Sequence, residues 1–250
     1  MKKTVIFLLF VLSVSITVFA DLPFRNQRRD MFRTLTINEK SIVFMGNSIT
    51  QGNEWSELFS NDPRVVNRGI SGNTSEEIRN NLDYIIAGKP AKVFLMIGIN
   101  DGPDPAIVVP AIQKTIEILQ NESPSTQIFI QSILPCRGRD KVQITNQLIQ
   151  DVCRSMGVKY IDINSRLADK SNSGELDKVF TNDQLHLLGP AYKKWTEGYR
   201  EYTGIVPRLK NVKPKMIASA SHPYVNQRVT LFQMLPASNK DILMLGDYHV

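Results

Sequence analysis

Two cysteines and three histidines in 250 residues exclude a good deal. No C-x-x-C and no H-x-x-x-H occurs, so neither a structural zinc site nor a helical pair of metal ligands is expected. The reading is no metal. Two cysteines are also too few for a disulfide scaffold. Cys136 follows a strand pattern and Cys153 lies inside a helical one, which favours two separate thiols over a bond, although export would permit one. G-x-S-x-G is missing, which makes an α/β-hydrolase a poor fit. G-x-G-x-x-G is missing after the first strand, which counts against a nucleotide-binding doubly wound domain.

Concentrated charge and long apolar runs are scarce too. Basic residues cluster only in small groups such as Arg28-Arg29 and Lys193-Lys194, without interleaved aromatics, so no nucleic-acid partner is expected. One apolar run stands out, and it is at the start. "MKK" precedes "TVIFLLFVLSVSITVF", and Val18-Phe19-Ala20 places small residues where a signal peptidase cuts. The run is short against the roughly 20 residues of a membrane span. Residues 1–20 therefore read as a signal peptide, with a secreted or periplasmic product and no membrane association after cleavage. Removing them leaves 28 basic against 24 acidic residues, a net charge of +4.

What is there is an alternation. Strand patterns at 41–46, 64–69, 92–98, 127–133 and 158–163 are rich in Val, Ile and Phe. Helical patterns fall near 53–60, 74–87, 106–121, 142–156 and 188–203. Each strand followed by a helix implies parallel pairing with right-handed crossovers, hence an α/β fold of three layers. Ligands bind such sheets beyond the carboxyl ends of the strands. Three of those ends carry small polar residues: Gly46-Asn47-Ser48, then Gly69-Ile70-Ser71-Gly72-Asn73, then Gly98-Ile99-Asn100-Asp101. Each alone could be an ordinary turn, since Gly and Asn suit positive φ.

A fourth segment, "TNDQLHLLGPAY", changes the balance. Asp183 and His186 stand three residues apart there, about one helical turn. Ester hydrolysis through a serine needs a hydroxyl, a base, a group orienting the base, and donors for the developing oxyanion. Ser48 offers the hydroxyl, His186 the base and Asp183 its partner. Gly72 offers an unobstructed N–H and Asn100 a side-chain amide. His222 and His249 lie outside the α/β unit.

The blocks "GNSIT", "NRGISGNT", "IGIND" and "DQLH", in this order, resemble the SGNH superfamily, the GDSL-type esterases and lipases. The resemblance covers about residues 40–204. It looks nearest to bacterial sialate O-acetylesterase-like and platelet-activating-factor acetylhydrolase-like members. It implies a flavodoxin-like five-stranded parallel sheet and no cofactor. It also implies Ser48, Asp183 and His186 as catalytic residues, with Ser48, Gly72 and Asn100 as the oxyanion hole. Two departures from the family pattern are Asn47 and Asn73, where Asp is usual. The expected activity is that of a secreted serine esterase. It would act on short-chain esters, acetyl in the first place, on carbohydrate such as O-acetylated sialic acid or another glycan. A lysophospholipase or thioesterase, and a non-catalytic glycan-binding module, are the alternatives. Trp55 could stack on a sugar or pack in the core, and Arg68 and Arg79 could meet an acidic substrate or face solvent.

Residues 224–250 echo residues 24–50. Asn26, Gln27, Arg28, Phe32, Leu35, Lys40, Ile42 and Gly46 recur at an offset of 200. The expected organisation is a signal peptide (1–20), a hydrolase domain (21–205), a linker (206–223) and the truncated start of a second copy (224–250). A lone opening segment would be loosely attached, or would support self-association.

Overall fold

The computed structural model describes residues 23–237. The expected signal peptide and the strand-like end of the second copy, residues 238–250, lie outside the described residues. The described residues divide into two units, residues 23–36 with 237 falling in one and residues 37–236 in the other. In the first, residues 23–34 are helical and the Arg28 guanidinium lies 4.8 Å above the Phe32 ring.

The second unit is the α/β fold expected. Five strands, β1 (Ile42–Gly46), β2 (Val65–Gly69), β3 (Lys92–Met96), β4 (Gln127–Gln131) and β5 (Lys159–Ile161), pair in parallel in the order β2-β1-β3-β4-β5. The chain order turns back at β1, so β1 and β3 are neighbours whose following loops face one crevice. Helices α1 (Ser48–Gln51), α2 (Trp55–Leu58), α3 (Ser75–Arg79), α4 (Asp83–Gly88), α5 (Pro105–Glu122) and α6 (Val142–Ser155) follow the strands. The unit continues with α7 (Asn164–Leu167), α8 (Gly189–Trp195), α9 (Arg200–Thr203) and α10 (Pro223–Met234).

Register builds the core. Phe44 of β1 pairs with Phe94 of β3, and Phe94 with Phe129 of β4, so three rings line up on one face. Their centroids are 4.8 and 4.5 Å apart, and Trp55 stacks on Phe44 at 3.9 Å. Trp55 is 1% exposed, and its indole N–H donates to the Thr50 carbonyl at 2.8 Å. It packs in the core and offers no sugar platform. The Trp195 indole and Tyr199 hydroxyl are buried above the same face and both donate to Oε1 of Gln131.

Two expected helices are broken. The pattern at 74–87 splits into α3 and α4 because the Asn81 side chain donates to the Glu77 carbonyl, and Asn favours such local bonds over helix continuation. The pattern at 188–203 splits at Gly198, whose φ of +80° leaves helical space.

Of the segment expected to be a linker, residues 206–223, all but Pro223 lies outside any helix or strand, yet the segment lies against the unit. The Arg208 N–H donates to Leu58 O and the Lys210 N–H to Met234 O, each at 2.7 Å. The loose attachment expected of residues 224–250 does not hold for their helical part. Helix α10 packs on α8 with Leu231 and Met234 buried, and a methyl at Gly189 would meet the Thr230 carbonyl at 2.5 Å. Only glycine lets the two helices approach this closely.

Cys136 and Cys153 are free thiols. Burial pushes the Cys153 thiol up to about 12 and raises that of Cys136.

Candidate active site

Strand β1 ends where its backbone meets its neighbours. A Cβ on Gly46 would lie 2.5 Å from the Met96 carbonyl and 2.2 Å from Oγ1 of Thr50, so no larger residue fits. The chain then turns at Asn47, whose Oδ1 accepts the Ile49 N–H at 3.0 Å and caps α1. An aspartate at this position would accept the same bond, so Asn47 retains the capping function. Ser48 is the first residue of α1, directly beyond the carboxyl end of the sheet.

The loop after β2 is fastened to that turn from both sides. The Ile70 N–H donates to the Gly46 carbonyl at 3.1 Å, and the Ser71 N–H to Oε1 of Gln51 at 2.8 Å. Asn67 holds the far end of α1, its amide donating to the carbonyls of Thr50, Gln51 and Asn53. Gly72 sits in this loop at φ +74°, left-handed space that favours glycine. One residue on, the Asn73 carbonyl accepts Nδ2–H of Asn100 at 2.9 Å. Asn100 therefore has one amide N–H committed to its orientation and a second to offer. Asp101 fixes the same turn by accepting from the N–H and hydroxyl of Ser75.

The fourth segment is a loop rather than a helical turn. Thr181 and Leu187 form an antiparallel bridge across it, and Gln184 takes φ +66°. Within it, Asp183 Oδ1 accepts the backbone N–H groups of Leu185 and His186 at 2.9 and 2.7 Å. Asp183 Oδ2 lies 2.8 Å from Nδ1 of His186. A carboxylate only accepts, so Nδ1 carries the proton and Nε2 presents its lone pair. That lone pair faces Oγ of Ser48 at 3.0 Å. Burial pushes the Asp183 carboxyl up, but the His186 ring and the two backbone N–H groups outweigh it and hold it well below the usual carboxylate range.

The structure thus brings Ser48, Asp183 and His186 into one hydrogen-bonded line. The loop carrying Gly72 is bonded to the Ser48 turn, and Asn100 is bonded to that loop at Asn73. Arg79 pairs with Glu76 at the surface, while Arg68 is buried, so neither is a free cation for substrate. Among the described residues no group of three or more His, Cys, Asp or Glu side chains gathers as a metal site.

Sequence reading missed the supports: Asn67, Gln51, Asp101 and, from α10, Gln227. Gln227 Nε2 lies 3.0 Å from Asp183 Oδ2 and 3.0 Å from Asn182 Oδ1. The one signal pointing to Gln227 was its place in the repeated Asn-Gln-Arg register.

Residues 44–194 match the model of the GDSL-like lipase/acylhydrolase family. Among solved structures, the chain is similar to a Streptococcus pneumoniae protein provisionally described as a platelet activating factor. The TM-score is 0.70 and the identity 28%, over 77% of this chain and 99% of that one. It is also similar to a GDSL-like lipase from Bacteroides thetaiotaomicron, with TM-score 0.63 and 21% identity over 72% and 97% of the two chains. An acetylxylan esterase from Geobacillus stearothermophilus shares the fold with TM-score 0.54 and 16% identity, over 67% and 95%. No curated protein matches the chain.

Proposed function

The chain belongs to the GDSL-like lipase/acylhydrolase family, and from that premise we propose that it is a serine esterase using Ser48, His186 and Asp183 to hydrolyse short-chain esters. The observation that carries the proposal is the Nε2–Oγ distance of 3.0 Å between His186 and Ser48, with Asp183 on the opposite ring nitrogen.

Ser48 Oγ attacks the ester carbonyl carbon while its proton passes to His186 Nε2. Asp183 holds the imidazole in the tautomer that can accept and stabilises the imidazolium that results. The carbonyl oxygen becomes an oxyanion, received by the N–H groups of Ser48 and Gly72 and by the second amide N–H of Asn100. His186 then gives the proton to the departing alkoxide, which leaves as the alcohol. A water, deprotonated by the same nitrogen, attacks the acyl-serine, and the acid departs as Ser48 regains its proton.

The acyl group is proposed to be short, acetate in the first instance. The alcohol side is proposed to be carbohydrate, and the protein to be exported after loss of residues 1–20.

Turnover of p-nitrophenyl esters of rising chain length, with acetylated sugars alongside, tests the reading. The wild type is expected to favour acetate and Ser48→Ala to be inert. Equal turnover by the two proteins overturns the assignment of Ser48.

A further inference from the structure

Helix α10 lies beyond the family match, which ends at residue 194, yet it reaches the Asp183–His186 pair. We infer that Gln227 is a positioning residue of the hydrolytic site, holding the Asp183 carboxylate from outside its own loop.

Asp183 accepts from several donors. The His186 and Leu185 N–H groups, the Thr181 hydroxyl and the His186 ring all come from residues 181–186. Gln227 comes from another element 44 residues on, and it shares Oδ2 with the His186 ring. Its amide has two hydrogens, one for Asp183 Oδ2 and one for Asn182 Oδ1, each across 3.0 Å. Asn182 completes a ring of bonds by donating to the Pro223 carbonyl at the start of α10. Gln227 is 7% exposed, so the amide is held where water would not readily replace it.

The helix that carries Gln227 is itself pinned to both halves of the site. The Arg228 guanidinium donates to the Gly52 carbonyl at 2.7 Å, directly after α1, and pairs with Glu54. The Thr230 hydroxyl accepts the Gly189 N–H at 3.0 Å, just past the His186 loop. One helix thus spans the nucleophile's turn and the base's loop, with Gln227 beside both anchors. Arg228 also lies 4.5 Å above Phe232, the arrangement that Arg28 and Phe32 show in the helix over residues 23–34.

Donation to Oδ2 has two consequences. It fixes the plane of the carboxylate, and it draws off part of the negative charge that the imidazolium would feel. Losing it lets Asp183 rotate and leaves more of the carboxylate's negative charge facing the ring. The other ionisable groups facing this region stay in place. They are Cys136 and Arg139 on the loop after β4, Glu54 with Arg228, Tyr192 of α8, and His222 and Tyr224 at the start of α10.

The test uses Gln227→Met, which keeps the shape and removes the donor, and Gln227→Glu, which adds a negative charge. Gln233→Ala, on the exposed side of α10, is the control for general disturbance of the helix. The inference rests on the esterase reading for its kinetic arm only. In that arm Gln227→Met lowers kcat about 10- to 100-fold, the worth of a hydrogen bond to a charged group, with KM little changed. The acidic limb of kcat/KM moves to higher pH, and it moves further in Gln227→Glu. Gln233→Ala behaves as wild type. Unchanged kcat and pH limb in both folded variants, whatever their melting temperatures, or the same losses in Gln233→Ala, overturn the inference. The second arm needs no activity: the proton NMR signal of the His186 Nδ1–H bonded to Asp183 moves or is lost in Gln227→Met. An inert wild type with no serine-probe adduct would refute the esterase reading. The NMR signal would then decide on Gln227 alone, an unshifted signal counting against it.

Discussion

Nδ2 of Asn100 donates to the Asn73 carbonyl at 2.9 Å, so the turns after β2 and β3 are joined by the very amide proposed to face the oxyanion. The bond orients the amide before any substrate arrives, and a preorganised donor is worth more than one recruited during reaction. Replacing it with alanine is expected to reduce kcat by roughly 10²–10³ while KM changes little. Steady-state kinetics on p-nitrophenyl acetate measure it. A loss confined to KM would mean that Asn100 binds substrate rather than its transition state.

Asp183 carries the pH prediction for stability. Its carboxyl is held below the ordinary value of about 3.9, so its contribution is fully present above that value. The contribution is lost as the pH falls from there towards the lower folded value. Melting temperatures of wild type and Asp183→Asn should differ by a constant amount above about pH 5 and converge below about pH 4. Convergence on the alkaline side instead would contradict the sign.

Trp55 is predicted to act through packing alone. It is buried, stacked on Phe44 and bonded to the Thr50 carbonyl. Trp55→Ala should cost about 3–5 kcal/mol in chemical denaturation. Trp55→Phe should leave KM for acetylated sugars unchanged. A raised KM without loss of stability would restore the sugar-stacking reading.

The thiols should behave as isolated and sluggish groups. Burial raises both, Cys153 to about 12, and the thiolate is the reactive form. A reducing agent should leave the melting temperature unchanged. Cys136 should react slowly with a thiol reagent, and Cys153 only on unfolding.

Much of the fold and the site was legible in the sequence because strand-end chemistry is local. Apolar runs ending in Gly-Asn-Ser, Gly-Ile-Ser-Gly-Asn and Gly-Ile-Asn-Asp mark carboxyl ends, and parallel topology brings such ends together. The five strands, their parallel pairing and the Ser48–His186 approach therefore follow from pattern and resemblance. The broken helices were not legible. Asn81 and Gly198 end them through a side-chain bond and a backbone angle that apolar periodicity does not register. Arg68 read as a charge meeting an acidic substrate or facing solvent, yet it is buried. Gln227 was out of reach for a different reason. Its partner is 44 residues away, and its place in the repeated Asn-Gln-Arg register marks the residue without showing what it touches.

The most direct test of the serine chemistry is to treat the protein with a fluorophosphonate probe and locate the adduct by peptide mass spectrometry. A single adduct on Ser48, abolished in Ser48→Ala and strongly slowed in His186→Ala, is the predicted result. A folded wild type that takes up no probe at Ser48 would contradict it.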